Sequence, residues 1–206
     1  MRRPIAALLA LIAICACGAD TGQPTSADTG QPTPPSPGCD NGIVTCMDQR
    51  TTPPPTVIDP AKKYIATVHT SRGDFTVSFV DPNVAPQTVN NFVYLSQNHY
   101  YDGLTFHRVV PGFVVQGGDP LGNGTGGPAY KLPNETNASK WPRGTVGMAS
   151  STAGVSGSQF FITTGDAPFL ATSGVYNHFG QVTSGMDVID SIKVGDRMTS
   201  IDIKAS

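Results

Sequence analysis

The sequence predicts a mainly β domain of many short strands and two helices, a makeup that fits a closed antiparallel barrel. Many short stretches alternate apolar and polar residues at period two, and glycine- or proline-containing turns separate them. Two stretches carry apolar residues at helical spacing, and many short strands with two helices fit such a barrel. All 16 aromatic residues lie at or after Tyr64, so the material for a core is confined to the C-terminal part of the chain.

Tyr64 to His69 and Phe75 to Phe79 alternate around a Ser71-Arg72-Gly73-Asp74 turn, which predicts a hairpin with one buried face. Pro86 opens a helix in which Val89, Phe92, Val93 and Ser96 share a face. Gly103 is a break. Phe106 to Val110 and Phe113 to Gly117 then flank Pro111-Gly112, two strands joined by a tight turn. Gly122 to Gly127 reads as a glycine loop. Gly144 to Ala149 and Gln159 to Thr163 are further strands, with a small-residue loop from Ser150 to Ser158 between them. Phe179 to Val182 is another strand, Met186, Val188, Ile189 and Ile192 mark a short helix, and Thr199 to Ile203 is a closing edge strand.

Ahead of this unit the composition changes. Half of the 18 prolines fall between Cys17 and Ala61, where there are no aromatics before Tyr64. Such a segment cannot bury enough apolar surface to offset its ordering entropy. The expected organisation is therefore a signal peptide over 1–16, a disordered Pro/Thr/Ser-rich tether over 17–60, and a folded domain over 61–206. Asp20 to Thr25 and Asp28 to Thr33 nearly repeat one another within the tether. Its expected job is spacing, with a reach of at most ~130 Å if wholly polyproline-like.

Met1-Arg2-Arg3 followed by an apolar run from Ile5 to Ala16 describes an export signal. The run is shorter than the roughly 20 residues a membrane-spanning helix needs. Ile14-Cys15-Ala16-Cys17 resembles the bacterial lipobox, which implies lipidation of Cys17 and anchoring at the outer face of the bacterial cell membrane. Bulky Ile14 makes Cys15 the poorer acceptor. Cys39 and Cys46 lack the companions a zinc site requires, and outside the cytoplasm a local disulfide between them is the expected state. The formal net charge is −2 and no basic cluster interrupts the folded part, which argues against nucleic-acid binding.

The stretch from Phe106 to Asp119, Phe-His-Arg-Val-Val-Pro-Gly-Phe-Val-Val-Gln-Gly-Gly-Asp, sets one cation and one amide on the two arms of the Pro-Gly hairpin. It resembles the signature of the cyclophilin-type peptidyl-prolyl isomerases, and Gly157-Ser158-Gln159-Phe160-Phe161-Ile162 matches that family's other hallmark downstream. The match covers essentially Tyr64 to Ile203. Tyr100 to Arg108 looks like the compact bacterial form. The resemblance implies a closed eight-stranded barrel with a helix at each end, a monomer, no cofactor and no metal.

It also implies catalytic roles for Arg108 and Gln116. Phe113, Val114, Phe161 and Leu170 would form a proline-ring pocket, and Ala149 and Ser150 would lie along the groove for the preceding residues. Phe169 stands where the family commonly has a tryptophan, Tyr176 where many members have histidine, and Ser150 where asparagine is common. The sole tryptophan, Trp141, lies elsewhere in the sequence. These departures imply reduced affinity for cyclosporin-type ligands and altered substrate preference while leaving the cation and the ring pocket in place.

Isomerisation of an X–Pro bond breaks no bond to carbon; the obstacle is amide resonance, a barrier of roughly 18–20 kcal/mol. A guanidinium aimed at the prolyl nitrogen favours the twisted amide, whose nitrogen lone pair is released, over the planar one. Other chemistries fit poorly. Gly154-Val155-Ser156-Gly157-Ser158 has serine where a nucleophile elbow needs its final glycine. The 122–127 glycines lack a following Lys-Ser/Thr for a phosphate loop. His69, His99, His107 and His178 have no metal-ligand spacing. The competing class is a surface-tethered proline-peptide-binding or chaperone module with weak catalysis, and the joint presence of Arg108 and Gln116 argues for the enzyme.

Overall fold

The computed structural model describes residues 50–135, 138 and 140–206, so the expected signal peptide, most of the tether, and Cys17, Cys39 and Cys46 lie outside the described residues. Strands β1 (Tyr64–Thr70) and β2 (Gly73–Phe79) form the first hairpin, in register through pairs such as Val68 with Phe75. Alternation dictates their faces: Ala66, Val68, Phe75, Val77 and Phe79 point inward and are buried.

Helix α1 (Pro86–Gln97) follows, with Val89, Phe92, Val93 and Ser96 all buried on its inner face. Proline suits its first turn, but Ala85 offers no capping side chain. The carboxylate of Glu135 supplies the acceptors instead, taking the backbone N–H of Gln87 at 2.8 Å and of Thr88 at 2.9 Å. A negative group there also opposes the positive end of the helix dipole.

Strands β3 (Arg108–Val110) and β4 (Val114–Gly117) make the second hairpin, and β5 (Lys131–Leu132) is a two-residue strand. Long strands β6 (Thr145–Ser151) and β7 (Gly154–Thr163) follow, then a 3-10 turn over Pro168–Ala171, strand β8 (His178–Ser184), helix α2 (Met186–Ser191) and strand β9 (Met198–Ala205). The ladder runs β3-β4-β7-β6-β8-β2-β1-β9, with β5 pairing β7 off that path. Inside the curl, Phe92 of α1 packs on Phe79, Tyr101, Phe160 and Phe179 with ring centroids 5.0–5.6 Å apart. Removing one such buried ring typically costs about 3–5 kcal/mol.

The structure corrects the expectation of a closed barrel. Terminal strands β3 and β9 share no ladder, so the sheet is a curled, open half-barrel. The cause is local. Residues Gly103 to Phe106, leading into β3, meet Gly195 to Met198 through an isolated bridge between Thr105 and Arg197, a few backbone hydrogen bonds such as Phe106 N–H to Asp196 C=O at 2.8 Å, and the Arg197 side chain on the Gly103 carbonyl, without forming a ladder. Phe106, expected in the strand, lies ahead of it and is fully buried.

The stretch from Ser150 to Ser158, expected as a loop, is mostly strand. β6 continues to Ser151 and β7 starts at Gly154, leaving only Thr152 and Ala153 to turn. At Gly157 the small residue is required by close neighbours: a Cβ there would lie 2.7 Å from Pro128 and 2.8 Å from Tyr130. Residues 50–60, expected in the tether, pack on α1. Asn90 accepts the backbone N–H of Val57 at 2.7 Å and donates to the Pro55 carbonyl at 3.0 Å, and Arg50 donates to the Tyr94 hydroxyl at 2.6 Å. Packed structure therefore begins ahead of Ala61.

Candidate active site

Arg108 and Gln116 are direct cross-strand partners in the β3–β4 hairpin, so both side chains emerge on the same face. The turn between the strands suits its residues. Phe113 N–H returns to the Val110 carbonyl at 3.0 Å, and Gly112 has φ 72°, the positive value a type II turn requires after proline. Register then extends the row: Gln116 faces Phe161 on β7, and Phe161 faces Gly147 on β6. One line across four strands thus holds a cation, an amide, a ring and a gap.

A cavity of about 170 Å³ opens beside that row. Arg108, Gln116 and Ser150 give it a polar side, while Phe113, Val114, Phe161 and Leu170 give apolar walls, completed by Ala149 and Tyr176. Of the catalytic and substrate-binding residues read from the sequence, all but Phe169 line this cavity. That ring is 52% exposed and stands outside the lining, against Phe113 with centroids 5.2 Å apart.

The polar side is wired to a loop. Arg108 Nη1 donates to Gln116 Oε1 at 3.4 Å, and the guanidinium carbon lies 5.7 Å from the centroid of the Phe113 ring. Gln116 Nε2 donates to Gln159 Oε1 at 3.0 Å, and Gln159 Nε2 donates to the carbonyls of Gly124 at 3.1 Å and Gly126 at 2.8 Å. Asp119, buried at the root of the glycine loop, accepts the backbone N–H of Leu121 at 2.8 Å and of Asn123 at 3.0 Å, and also that of Gly124. A Cβ on Gly126 would sit 2.2 Å from the Asp119 carboxylate, which explains that glycine.

His107 lies next to the site, its two ring nitrogens buried without hydrogen-bond partners, and desolvation holds its pKa below the ordinary value. No group of three or more His, Cys, Asp or Glu residues suited to a metal ion occurs among the described residues.

Two contributors escaped the sequence reading. Gln159 was visible within its motif, yet only the three-dimensional register shows that it meets Gln116. Trp141, 2% exposed, belongs to the same apolar cluster as Val114, Phe161 and Leu170. Its position in sequence, twenty residues before Phe161, carries no signal of that contact.

A family model, the cyclophilin type peptidyl-prolyl cis-trans isomerase/CLD, matches residues 65–204. A peptidyl-prolyl cis-trans isomerase of Synechococcus elongatus is 48% identical over 140 residues, covering 67% of this chain and 94% of that protein. Peptidyl-prolyl cis-trans isomerase B of Bacillus subtilis is 46% identical over 125 residues, covering 60% of this chain and 86% of that protein. Among solved structures, a cyclophilin type peptidyl-prolyl cis-trans isomerase of Cryptosporidium parvum superposes with TM-score 0.63 at 30% identity, over 70% of this chain and 99% of that one. A structure of the Cryptosporidium protein in the presence of the dipeptide Ala-Pro gives TM-score 0.61 at 28% identity, over 69% and 99%.

The fold and the site define a proline-directed isomerase built on a curled antiparallel sheet. The chain belongs to the cyclophilin-type peptidyl-prolyl cis-trans isomerases, and it is an enzyme.

Proposed function

We propose that this cyclophilin acts on X–Pro bonds of exported or surface polypeptides, using Arg108 to stabilise the twisted amide. The observation that carries this reading is the placement of a guanidinium beside the apolar walls of a cavity of about 170 Å³. The prolyl ring sits among Phe113, Val114, Phe161 and Leu170, and the residue before it passes Ala149 and Ser150. As the amide twists, its nitrogen regains a lone pair, and Arg108 donates toward it. Gln116, held by Gln159, keeps the guanidinium and the substrate backbone in register. Raising a rate from ~10⁻² to ~10³ per second takes about 7 kcal/mol of preference for the twisted state, shared between that charge and the binding of the flanking peptide. The Ala-Pro dipeptide used with the Cryptosporidium relative supports proline-containing polypeptides as substrates.

The cellular setting belongs to the same proposal. Lipid on Cys17 anchors the mature chain, as a monomer, to the outer face of the membrane, and the segment from Cys17 onward spaces the catalytic domain from the bilayer. Cys39 and Cys46 form a local disulfide in that segment. Cyclosporin-type macrocycles bind with reduced affinity because Phe169 brings a ring without an indole N–H.

The deciding experiment is a proline-isomerisation assay on wild type beside Arg108→Ala. Arg108 is exposed, and its hydrogen bond is long, so the alanine variant keeps its fold. Its kcat/KM drops at least ~10²-fold, equivalent to about 2.7 kcal/mol. A wild-type rate in the folded alanine variant would remove Arg108 from the mechanism.

A further inference from the structure

We infer that Trp141 is a positioning residue for the proline pocket, one that fixes three of its walls without lining it. The inference rests on the ring-pocket reading above.

The indole stacks on Phe161 with centroids 5.5 Å apart and planes inclined by 28°. Tyr176 stands edge-on to both rings, 6.1 Å from Trp141 and 5.7 Å from Phe161. Two of these three rings line the cavity, and Trp141 lies behind them. The third wall is held by backbone. The Trp141 carbonyl accepts the N–H of Ala167 at 2.8 Å, and Ala167 directly precedes the 3-10 turn that carries Leu170. Phe161, Tyr176 and Leu170 come from a strand, a loop and a helical turn, and Trp141 touches or bonds to all three segments.

The sheet makes room for this residue. Gly147 pairs with Phe161, and a Cβ there would lie 2.6 Å and 2.7 Å from the indole and 3.0 Å from Phe161. Any side chain at 147 would therefore drive the indole off the ring it supports. Tyr176 and His178 stand edge-on to the indole from other sides, with centroids 6.1 Å and 5.8 Å away. A rigid backing of this kind preorganises the pocket, so its loss is felt in substrate binding more than in the stabilisation of the twisted amide by Arg108.

The test uses the full chain, an Ala-Pro-containing peptide and separate determination of kcat and KM. Trp141→Leu should raise KM about tenfold with kcat within about twofold, and Trp141→Phe, which restores a stacking ring, should recover most of the loss. Ile189→Ala, a truncation in the main core away from this cluster, serves as the stability control. It should lower the melting temperature and leave KM alone. An unchanged KM in folded Trp141→Leu, or an equal rise in Ile189→Ala, overturns the inference. Should Trp141→Leu fail to fold, the wild type decides. Trp141 is the sole tryptophan, so its emission should change saturably as peptide fills the pocket, and a flat titration overturns the inference. Absence of peptide turnover by wild type would instead sink the underlying ring-pocket reading.

Discussion

Replacing Gln159 by leucine should loosen Arg108, the proposed catalytic cation, without touching it. An amide has a donor end and an acceptor end, so its partners dictate which way it points. Gln159 gives its N–H groups to the carbonyls of Gly124 and Gly126, and this turns its Oε1 toward Gln116. Gln116 must then present its own NH₂ to Gln159, and its Oε1 to Arg108. Leucine at 159 removes three hydrogen bonds at a residue only 6% exposed, leaving two carbonyls and one amide to find water or go unpaired. At ~1 kcal/mol per bond, the fold should lose about 2–3 kcal/mol. Gln116 becomes free to flip and set its donors against the guanidinium, so kcat/KM should fall about tenfold, or 1.4 kcal/mol. Gln159→Glu separates the two effects. A carboxylate still accepts from Gln116 but repels the loop carbonyls, so stability should suffer while turnover holds nearer to wild type. Urea melts and a coupled isomerisation assay on the three proteins measure both quantities. Equal turnover in wild type and folded Gln159→Leu would show that the amide relay has no bearing on the cation.

Acid should weaken the fold in a definite window. Burial lowers the pKa of His178 and of His107, so the unfolded chain takes up protons near the ordinary value of 6.5 while the folded chain resists. Their contribution is present above about pH 6.5 and lost as pH falls through the lowered folded values, whereas His69, raised by Asp74, works in the opposite direction from a partly exposed site. Melting temperatures from pH 7.5 to 5 should decline, and the decline should shrink in His178→Gln. Phe169→Trp should tighten cyclosporin-type ligands by roughly 0.5–1.5 kcal/mol if it restores one hydrogen bond, as isothermal titration would read, and unchanged affinity would dissociate this position from macrocycle binding. Mass spectrometry of the mature N-terminus should find a lipid-modified Cys17, with Cys17→Ser blocking maturation; an unmodified start beyond Cys17 would make the protein freely secreted.

Period-two alternation made β1 and β2 readable, because each buries one face and leaves the other more open. Helix α1 was readable from Val89, Phe92 and Val93 for the same reason at a different period. The strand ends around Thr152 were hidden, since a run of serine, glycine and alanine shows no alternation even where backbone pairing with β5 holds it extended. The open seam was hidden too. Closure depends on whether the two ends of an eight-strand path meet, and no local pattern encodes that. The docking of residues 50–60 depends on long-range bonds such as those of the buried Asn90 amide, whose partners lie more than thirty positions away. At the site, the motif residues and their spacing named the lining well. Trp141 stayed out of view because its contact with Phe161 passes through the gap that Gly147 leaves on an adjacent strand.

Arg108 and Phe161 stand at unlike places in the ladder. β7 is bonded to β4, β5 and β6, whereas β3 has β4 as its one ladder partner. Amide hydrogens of β7 should therefore exchange slowly with solvent and those of β3 far sooner. The site pairs a stiff anvil with a compliant arm. If Arg108 acts on the turning amide as proposed, it does so from the edge rung of the sheet, while Phe161 meets the ring from a strand bonded on both sides.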